Sequence, residues 1–335
     1  MSESASRILG ILRERGGYIS GQDMSRELGI SRTAVWKNVE KLRETGYTID
    51  AVSNRGYRLV QSVDLPTSDE IGRYLGESSL NPKVVYMKTV DSTNSLAMML
   101  AAQGAVHGTV VTADMQTSGK GRKGREWHSP PGSNLYLSMI LRPSVPPAEA
   151  SQIPVLTVIA SIRALRRLVP DLTCSVKWPN DIYCGGRKIS GTLCEMKAEM
   201  DSVEHVVVGT GINVNTDPSE INMPETATSL FMETGRRYCR AELAARLLED
   251  FQSAYDVWIA EGSLRPFIPE WKSCSLLLGS QVDVRTATKI VTGRAMGIAE
   301  NGALKLQLRD GTRRLIYAGD ATLHGEYGPH RPKRF

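Results

Sequence analysis

The chain has 335 residues, 41% hydrophobic and 23% charged, and its 41 Lys+Arg against 36 Asp+Glu leave a net charge of +5. That length accommodates two or three domains with a sizeable buried core, and the composition is that of an ordinary soluble globular protein. So mild a charge excludes anion binding by bulk charge; any anionic partner has to be met by local clusters.

The N-terminus, MSESASRILG, lacks the basic start and apolar run of a signal peptide, and no apolar stretch is long enough to cross a bilayer. The 5 Cys include no CxxC pair, and the even interval of Cys174, Cys184 and Cys194 fits neither a zinc knuckle nor a redox motif. Reduced, mostly buried thiols in a cytoplasmic protein without a membrane partner are expected.

Ile8, Leu9, Ile11 and Leu12 form an apolar helical stripe that stops at Gly16-Gly17. Met24 and Leu28 mark a second helix, Gly29 a turn, and Ser31 an N-cap for a third, in which Val35, Val39 and Leu42 share one face. Arg32, Thr33, Trp36 and Lys37 then look outward. "YTIDAVSNRGYRLV" alternates as a two-stranded ribbon around Ser53–Gly56, whose glycine supplies a tight turn. This order resembles the winged helix-turn-helix DNA-binding module. The outward residues would enter a major groove and Arg55 in the wing would meet the phosphate backbone. The plainer alternative is a small helical domain with a solvated basic face.

Residues 61–66 read as a linker, and Thr67 with Glu70 has capping-box spacing. Strand-like runs follow at Val84–Met87, Thr109–Ala113, Asn134–Leu141, Ser175–Trp178, Ile189–Met196 and His205–Val214. Helical runs lie at Ser95–Gln103, Ile153–Leu168 and Ala241–Ala260. Such mixing predicts an α/β or α+β domain. The remainder alternates in short runs with turns at Asn301-Gly302 and Asp310-Gly311, which predicts a small β-barrel. The expected division is therefore 1–62, 67–272, 273–326 and a basic tail, 327–335.

In "TSGKGRKGREW", Lys120, Arg122, Lys123 and Arg125 interleave with Gly119, Gly121 and Gly124. The glycine spacing is formally that of a dinucleotide fingerprint, but Pro130-Pro131-Gly132 soon after will not start the helix that motif needs. No Gly-Lys-Ser/Thr end makes it a P-loop either. What remains is pliable backbone amides among cations, able to form an anion-binding concavity. Fixing each residue costs on the order of 1–2 kcal/mol, so such a loop is expected to order mainly around an anion. The competing reading is a solvated hairpin tip.

"DSTN" (Asp91–Asn94), the Gly119–Ser138 segment, "KWPND" (Lys177–Asp181), "RKISGTLCE" (Arg187–Glu195) and "GTGINVN" (Gly209–Asn215) follow one another. In kind and order they resemble the signatures of the biotin protein ligase family. With the N-terminal module, the chain resembles its bifunctional form, ligase and biotin operon repressor. The resemblance spans nearly the whole chain. It implies an α+β multidomain protein: winged helix-turn-helix, a central class II synthetase-like ligase domain and a C-terminal SH3-like β-barrel.

The implied reaction joins biotin and ATP, with Mg²⁺, into biotinyl-5′-adenylate and pyrophosphate. The biotinyl group then passes to a lysine of a biotin carboxyl carrier protein. By resemblance, Ser92, Thr93, Asn94, Gln116, Lys120, Gly121, Arg122 and Lys188 bind biotin. Gly119, Arg125, Trp127, Asn180 and Asn213 belong to the ATP and adenylate side, and "ETATSL" (Glu225–Leu230) to the segment over the adenine. Lys188, Arg122 and Asp181 are the catalytic candidates. The first two would stabilise oxyanions and the third would orient or deprotonate the attacking amine.

The implied partners are the carrier, operator DNA of biotin genes and a second copy of the chain, with the adenylate as corepressor. Where the family commonly has Gly-Arg-Gly-Arg, this chain has Gly119-Lys120-Gly121-Arg122. The charge survives but the planar fork does not, which bears on adenylate retention. Each residue also has a plainer role: a helix N-cap for Ser92–Asn94, a turn for Asp181, an exposed hairpin for Lys188, core for Trp127. His128 and His205 are read as structural. A biotin-sensing regulator with little ligase activity, or a lipoate ligase, are the alternative functions.

Overall fold

In the computed structural model, which describes residues 2–75, 82–217 and 226–324, the chain separates into two units between Leu65 and Pro66. In the first unit, α1 (Glu3–Arg15) is capped by Ser2 and ends at Gly16, while α2 (Gly21–Leu28) ends at Gly29 with φ +66°. Ser31 then caps α3 (Arg32–Glu44), its hydroxyl accepting the Ala34 N–H at 3.1 Å. Val35, Val39 and Leu42 join Ile8, Leu12 and Met24 in one buried core.

The ribbon pairs β1 (Thr48–Val52) with β2 (Gly56–Gln61). Its left-handed turn residue is Asn54, at φ +65°. Gly56, at φ +97°, also makes room for a neighbouring strand, since a Cβ there would lie 2.0 Å from the Ile19 carbonyl oxygen. Only glycine lets Ile19 and Tyr57 exchange backbone hydrogen bonds, both at 2.9 Å, which seat the ribbon on the helices.

The second unit opens with α4 (Ser68–Leu75), where the Glu70 N–H donates to Thr67 Oγ1 at 3.3 Å. Among the described residues a seven-stranded sheet follows in the order β3-β4-β5-β9-β8-β7-β6. Its strands are β3 (Val84–Val90), β4 (Thr109–Gln116), β5 (Leu135–Leu141), β6 (Cys174–Lys177), β7 (Asp181–Cys184), β8 (Arg187–Ala198) and β9 (Val203–Ile212). Only β3 and β4 run parallel, joined through α5 (Thr93–Ala102). The sequence does not announce β7, because a four-residue strand ending at Gly185-Gly186 is too short to show a period.

Alternation along the strands sends side chains to two different covers. Leu135, Leu137, Met139, Val206 and Val208 face one core with α7 (Ile153–Leu168) and α9 (Arg240–Glu261), a short α6 (Pro147–Ala150) preceding them. Each large aliphatic side chain buried there contributes about 1.5–3 kcal/mol. Val111, Ile140 and Val207 face Ala97 and Ala101 of α5 on the other side. Arg240, only 2% exposed, ties α9 to β4 through Asp114 at 2.9 Å.

After α8 (Leu230–Thr234), α9 and α10 (Ile268–Cys274) the chain becomes all-β. The strands β10 (Gln281–Arg285), β11 (Ile290–Ile298), β12 (Leu304–Gln307), β13 (Arg313–Ile316) and β14 (Asp320–Leu323) form an antiparallel sheet ordered β13-β12-β11-β10-β14. The expected boundary at 272–273 falls inside α10, and the expected tail, 327–335, lies outside the described residues. No helix among the described residues is long and apolar enough to cross a membrane.

Candidate functional site

The α5 face of the sheet carries three glycines, Gly191, Gly209 and Gly211, where three strands meet. Register places Tyr136 opposite Gly211 and Gly211 opposite Gly191, and Ser138 opposite Gly209. A Cβ on Gly209 would lie 2.0 Å from Asn94 Oδ1, and one on Gly211 2.5 Å from the Trp127 ring. Neither glycine has a left-handed φ; what each supplies is room for another side chain against bare backbone. Asn94 and Trp127 occupy that room and help wall a cavity.

One end of the cavity is lined by neutral polar side chains. The Thr93 N–H and hydroxyl both donate to Gln116 Oε1, at 2.9 and 3.1 Å, and Gln116 Nε2 donates to Ser129 Oγ at 2.8 Å. Ser138 Oγ lies 2.7 Å from Asn94 Oδ1, while Asn94 Nδ2 donates to Glu195 Oε2 at 2.8 Å. These contacts fix which way both amides point. Ser92 sits at the N-cap position of α5 and is buried, yet its side chain makes no capping hydrogen bond; it lines the cavity. Capping alone therefore does not account for it.

The other end is cationic. Lys188 Nζ is 2.7 Å from Asp181 Oδ1 and 5.4 Å above the centre of the Trp127 ring. Its backbone pairs with the 226–228 segment, donating to the Thr226 carbonyl and accepting from the Thr228 N–H, each at 2.9 Å. Lys188 is thus held on both sides, unlike an exposed hairpin lysine. Asp181 opens β7 and is no simple turn residue. Arg122 Nη1 donates to Asn180 Oδ1 at 2.6 Å, and Nη2 to the Gly319 carbonyl at 3.0 Å.

In this structure the basic loop is a hairpin docked by its own contacts. Trp127 N–H donates to the Gly119 carbonyl and Gly121 N–H to the Arg125 carbonyl, at 2.8 and 2.7 Å. Asp320, at the start of β14, supplies the counter-charge from within the protein: Lys123, Arg125 and Arg122 reach its carboxylate at 3.0, 2.9 and 3.5 Å. Burial alone would push the Asp320 carboxyl up, but the Lys123 hydrogen bond and the three cationic charges together hold it below the ordinary carboxylate range.

The cavity brings together Ser92, Thr93, Asn94 and Gln116 with Lys120, Gly121, Arg122, Arg125 and Trp127, and with Asn180, Asp181 and Lys188. Gly119 and Asn213 lie outside its lining. A Cβ on Gly119 would lie 2.3 Å from the Trp127 carbonyl oxygen, so that glycine closes the loop's base. Asn213 Nδ2 donates to the Thr228 carbonyl at 3.0 Å and braces the segment behind Lys188. Of "ETATSL", Glu225 lies outside the described residues.

Sequence reasoning did not single out Tyr136, Ser138, Glu195, Gly209, Gly211 or Asp320. Two glycines at alternate positions in a strand signal a close approach and mark Gly209 and Gly211. Nothing local marks Asp320. His128 is exposed and His205 buried, both outside the cavity lining. Among the described residues no three His, Cys, Asp or Glu cluster as a metal site.

On the first unit, Arg32, Thr33, Trp36 and Lys37 form an exposed face of α3, with Trp36 50% exposed. The Arg55 guanidinium stacks 4.5 Å above the Tyr18 ring, which Arg58 approaches to 4.8 Å. Arg58 is paired with Asp50 at 2.8 Å; Arg55 remains exposed at the ribbon tip.

Three family models match the chain. They are the biotin/lipoate A/B protein ligase family over residues 86–213, an HTH domain over 5–58, and the biotin protein ligase C terminal domain over 277–323. The bifunctional ligase/repressor BirA of Bacillus subtilis is 37% identical over 91% of this chain and 94% of its own length. Its namesake in Escherichia coli is 31% identical over 93% and 95%. A solved biotin protein ligase from Aquifex aeolicus, in complex with biotin and ATP, superposes with a TM-score of 0.61 at 32% identity, covering 72% of this chain and 98% of that one. The chain therefore belongs to the biotin protein ligase family, among its members that join a ligase to a helix-turn-helix repressor.

Proposed function

We propose that the chain activates biotin with ATP as biotinyl-5′-adenylate, releases pyrophosphate, and passes the biotinyl group to a lysine of a biotin carboxyl carrier protein. One observation carries this reading: a polar recess lined by Ser92, Thr93, Asn94 and Gln116 opens directly onto a cluster of positioned cations. Ser92, Thr93, Asn94 and Gln116 offer donors and acceptors to the ureido ring of biotin. An apolar dithiolane has no donors or acceptors to match those groups, which favours biotin over lipoate. The carboxylate of the vitamin then points toward Lys188, Lys120 and Arg122.

A carboxylate attacking an α-phosphate brings two anions together, and charge grows on the non-bridging oxygens. Lys188 and Arg122 are held before the reaction by Asp181, Asn180 and Gly319, so little reorganisation is needed when that charge develops. No protein nucleophile is required. Trp127 shields the anhydride from water, and Arg125 and Gly119 belong to the loop that covers it. In the second half-reaction Asp181 orients or deprotonates the incoming amine. Asn213 serves this site by bracing the strand behind Lys188.

Mg²⁺, held at Asn180 and Asp181, would supply further charge neutralisation for the phosphates. Asn180 and Asp181 offer oxygen donors suited to an ion that keeps most of its ligands from phosphate and water. The central sheet supports the class II synthetase-like reading, and the C-terminal strands the SH3-like barrel. The divisions 1–62, 67–272 and 273–326 belong to the same proposal, as does a cytoplasmic location.

The first unit makes the protein a repressor of biotin genes, with the adenylate as corepressor and a homodimer matching paired half-sites. Arg32, Thr33, Trp36 and Lys37 enter the major groove, and Arg55, propped on Tyr18, meets the phosphates. Incubation with ATP, a carrier domain and either biotin or lipoate tests the enzymatic half. Labelling by biotin supports it, labelling by lipoate alone redirects it to the lipoate branch, and DNA binding without labelled carrier leaves only the sensing regulator.

A further inference from the structure

Cys174 opens β6 and Cys184 closes β7, and the two are direct partners across the antiparallel pair. Both are free thiols, both are buried, and their sulfurs are 3.0 Å apart. Strand register alone meets the Cα spacing a disulfide requires, and a contraction of roughly 1 Å would bring the sulfurs to the bonded distance of about 2.05 Å. The other end of this hairpin is the turn that carries Asn180, the Arg122 acceptor, followed at once by Asp181, the Lys188 partner that opens β7.

We propose that Cys174 and Cys184 form a reversible disulfide, closed by a peroxide or a small-molecule disulfide, which slows adenylate formation by shifting this hairpin. With peroxide, one thiolate attacks a peroxide oxygen and becomes a sulfenic acid as the O–O bond breaks and water leaves. The second sulfur attacks the sulfenyl sulfur, the S–S bond forms, and a second water departs. Two electrons pass from the sulfurs to the peroxide, and a dithiol reductant returns them.

The pair sits at the open end of the β6–β7 hairpin, flanked by exposed residues. Exposed Asp171 and Thr173 precede Cys174, and exposed Gly185 and Gly186, both with positive φ, follow Cys184. Hydrogen bonding to Cys174 and burial hold the Cys184 thiol above its ordinary range, so the pair responds to sustained oxidant and not to a brief pulse. Each strand spans about 10 Å between the thiols and the turn, so tightening one end levers the other. A displacement of about 1 Å at a catalytic group costs up to roughly 100-fold in rate. Damped along the hairpin, a roughly tenfold loss is expected.

The test uses the full-length protein, treated with hydrogen peroxide, alkylated and digested with trypsin. Trypsin separates the thiols into Leu168–Lys177 and Trp178–Arg187, so the disulfide appears as these two peptides joined and two hydrogens lighter than their sum. That result rests on nothing about function; the rate effect rests on the ligase reading. Biotin-dependent pyrophosphate release should fall with the linked fraction and return with dithiothreitol. Cys184→Ala and Cys174→Ala should both keep their rates under the same peroxide. No linked peptide, linkage to Cys194 or Cys274, linkage without loss of rate, or equal inactivation of both variants would overturn the proposal.

Discussion

Gly209→Ala adds one methyl group to the floor of the site. Its Cβ would lie 2.0 Å from Asn94 Oδ1 and 2.8 Å from Asn94 Cγ, well inside any contact real side chains make. The backbone there accepts alanine, so the whole burden falls on Asn94. To restore a contact of about 3.4 Å the amide must retreat by roughly 1.4 Å, beyond the ~0.5 Å within which a binding constellation stays productive. Retreat loosens its contacts with Ser138 (2.7 Å), Glu195 (2.8 Å) and the Leu193 carbonyl (3.4 Å). At about 1 kcal/mol for each of the two short bonds, with some overpacking cost, the loss is about 2–3 kcal/mol. The KM for biotin should therefore rise roughly 30- to 150-fold, while the KM for ATP moves far less. Biotin-dependent pyrophosphate release gives both constants, and a melting curve checks the fold. A folded variant with an unchanged KM for biotin would refute the placement of Asn94 and the reason given for the glycine.

Lys188→Ala should reduce adenylate formation by at least about 100-fold with the fold intact, measured as pyrophosphate release; near-normal release would remove Lys188 from its role. Asp320→Asn should release the basic loop and speed tryptic cleavage after Lys123 and Arg125, and a digestion time course equal to wild type would contradict the latch. Because the Asp320 carboxyl is held below its ordinary value of 3.8, the latch is at full strength above that pH and is lost as pH falls through the lowered value. Amide exchange of residues 120–126, corrected for intrinsic rates, should therefore be faster at pH 2 than at pH 5, and equal protection at both would count against it. Arg55→Ala should weaken DNA binding almost equally across sequences and reduce the salt slope by about 1, whereas Trp36→Ala should narrow the gap between operator and non-operator DNA. Filter binding reads both, and an unchanged slope for Arg55→Ala would take the wing off the backbone.

Local signals carried most of the architecture. Ser31 before an apolar period, Gly29 after one, and β-branched runs such as Val206–Val208 are consequences of capping, turn and strand physics that act within a few residues. Asn180, Asp181 and Lys188 were legible because they sit within compact motifs. Asp320 was not, because its meaning depends on Arg122, Lys123 and Arg125, nearly two hundred residues earlier, and nothing about an aspartate after Gly319 signals that fold-made contact. The basic loop behaves the same way. Its glycines and cations were visible locally, whereas the carboxylate that Lys123 and Arg125 meet comes from another part of the unit. Cys174 and Cys184 showed only an interval until strand pairing put them side by side.

Central to the proposed chemistry is a site that holds the mixed anhydride more firmly than either reactant. The direct measurement incubates the protein with biotin and radiolabelled ATP, passes it through a desalting column, and chases the protein fraction with carrier domain. Label in the form of biotinyl-adenylate should travel with the protein and leave as AMP when the carrier lysine takes the biotin. Label that elutes only as free ATP, or protein that retains biotin without AMP, would contradict that chemistry.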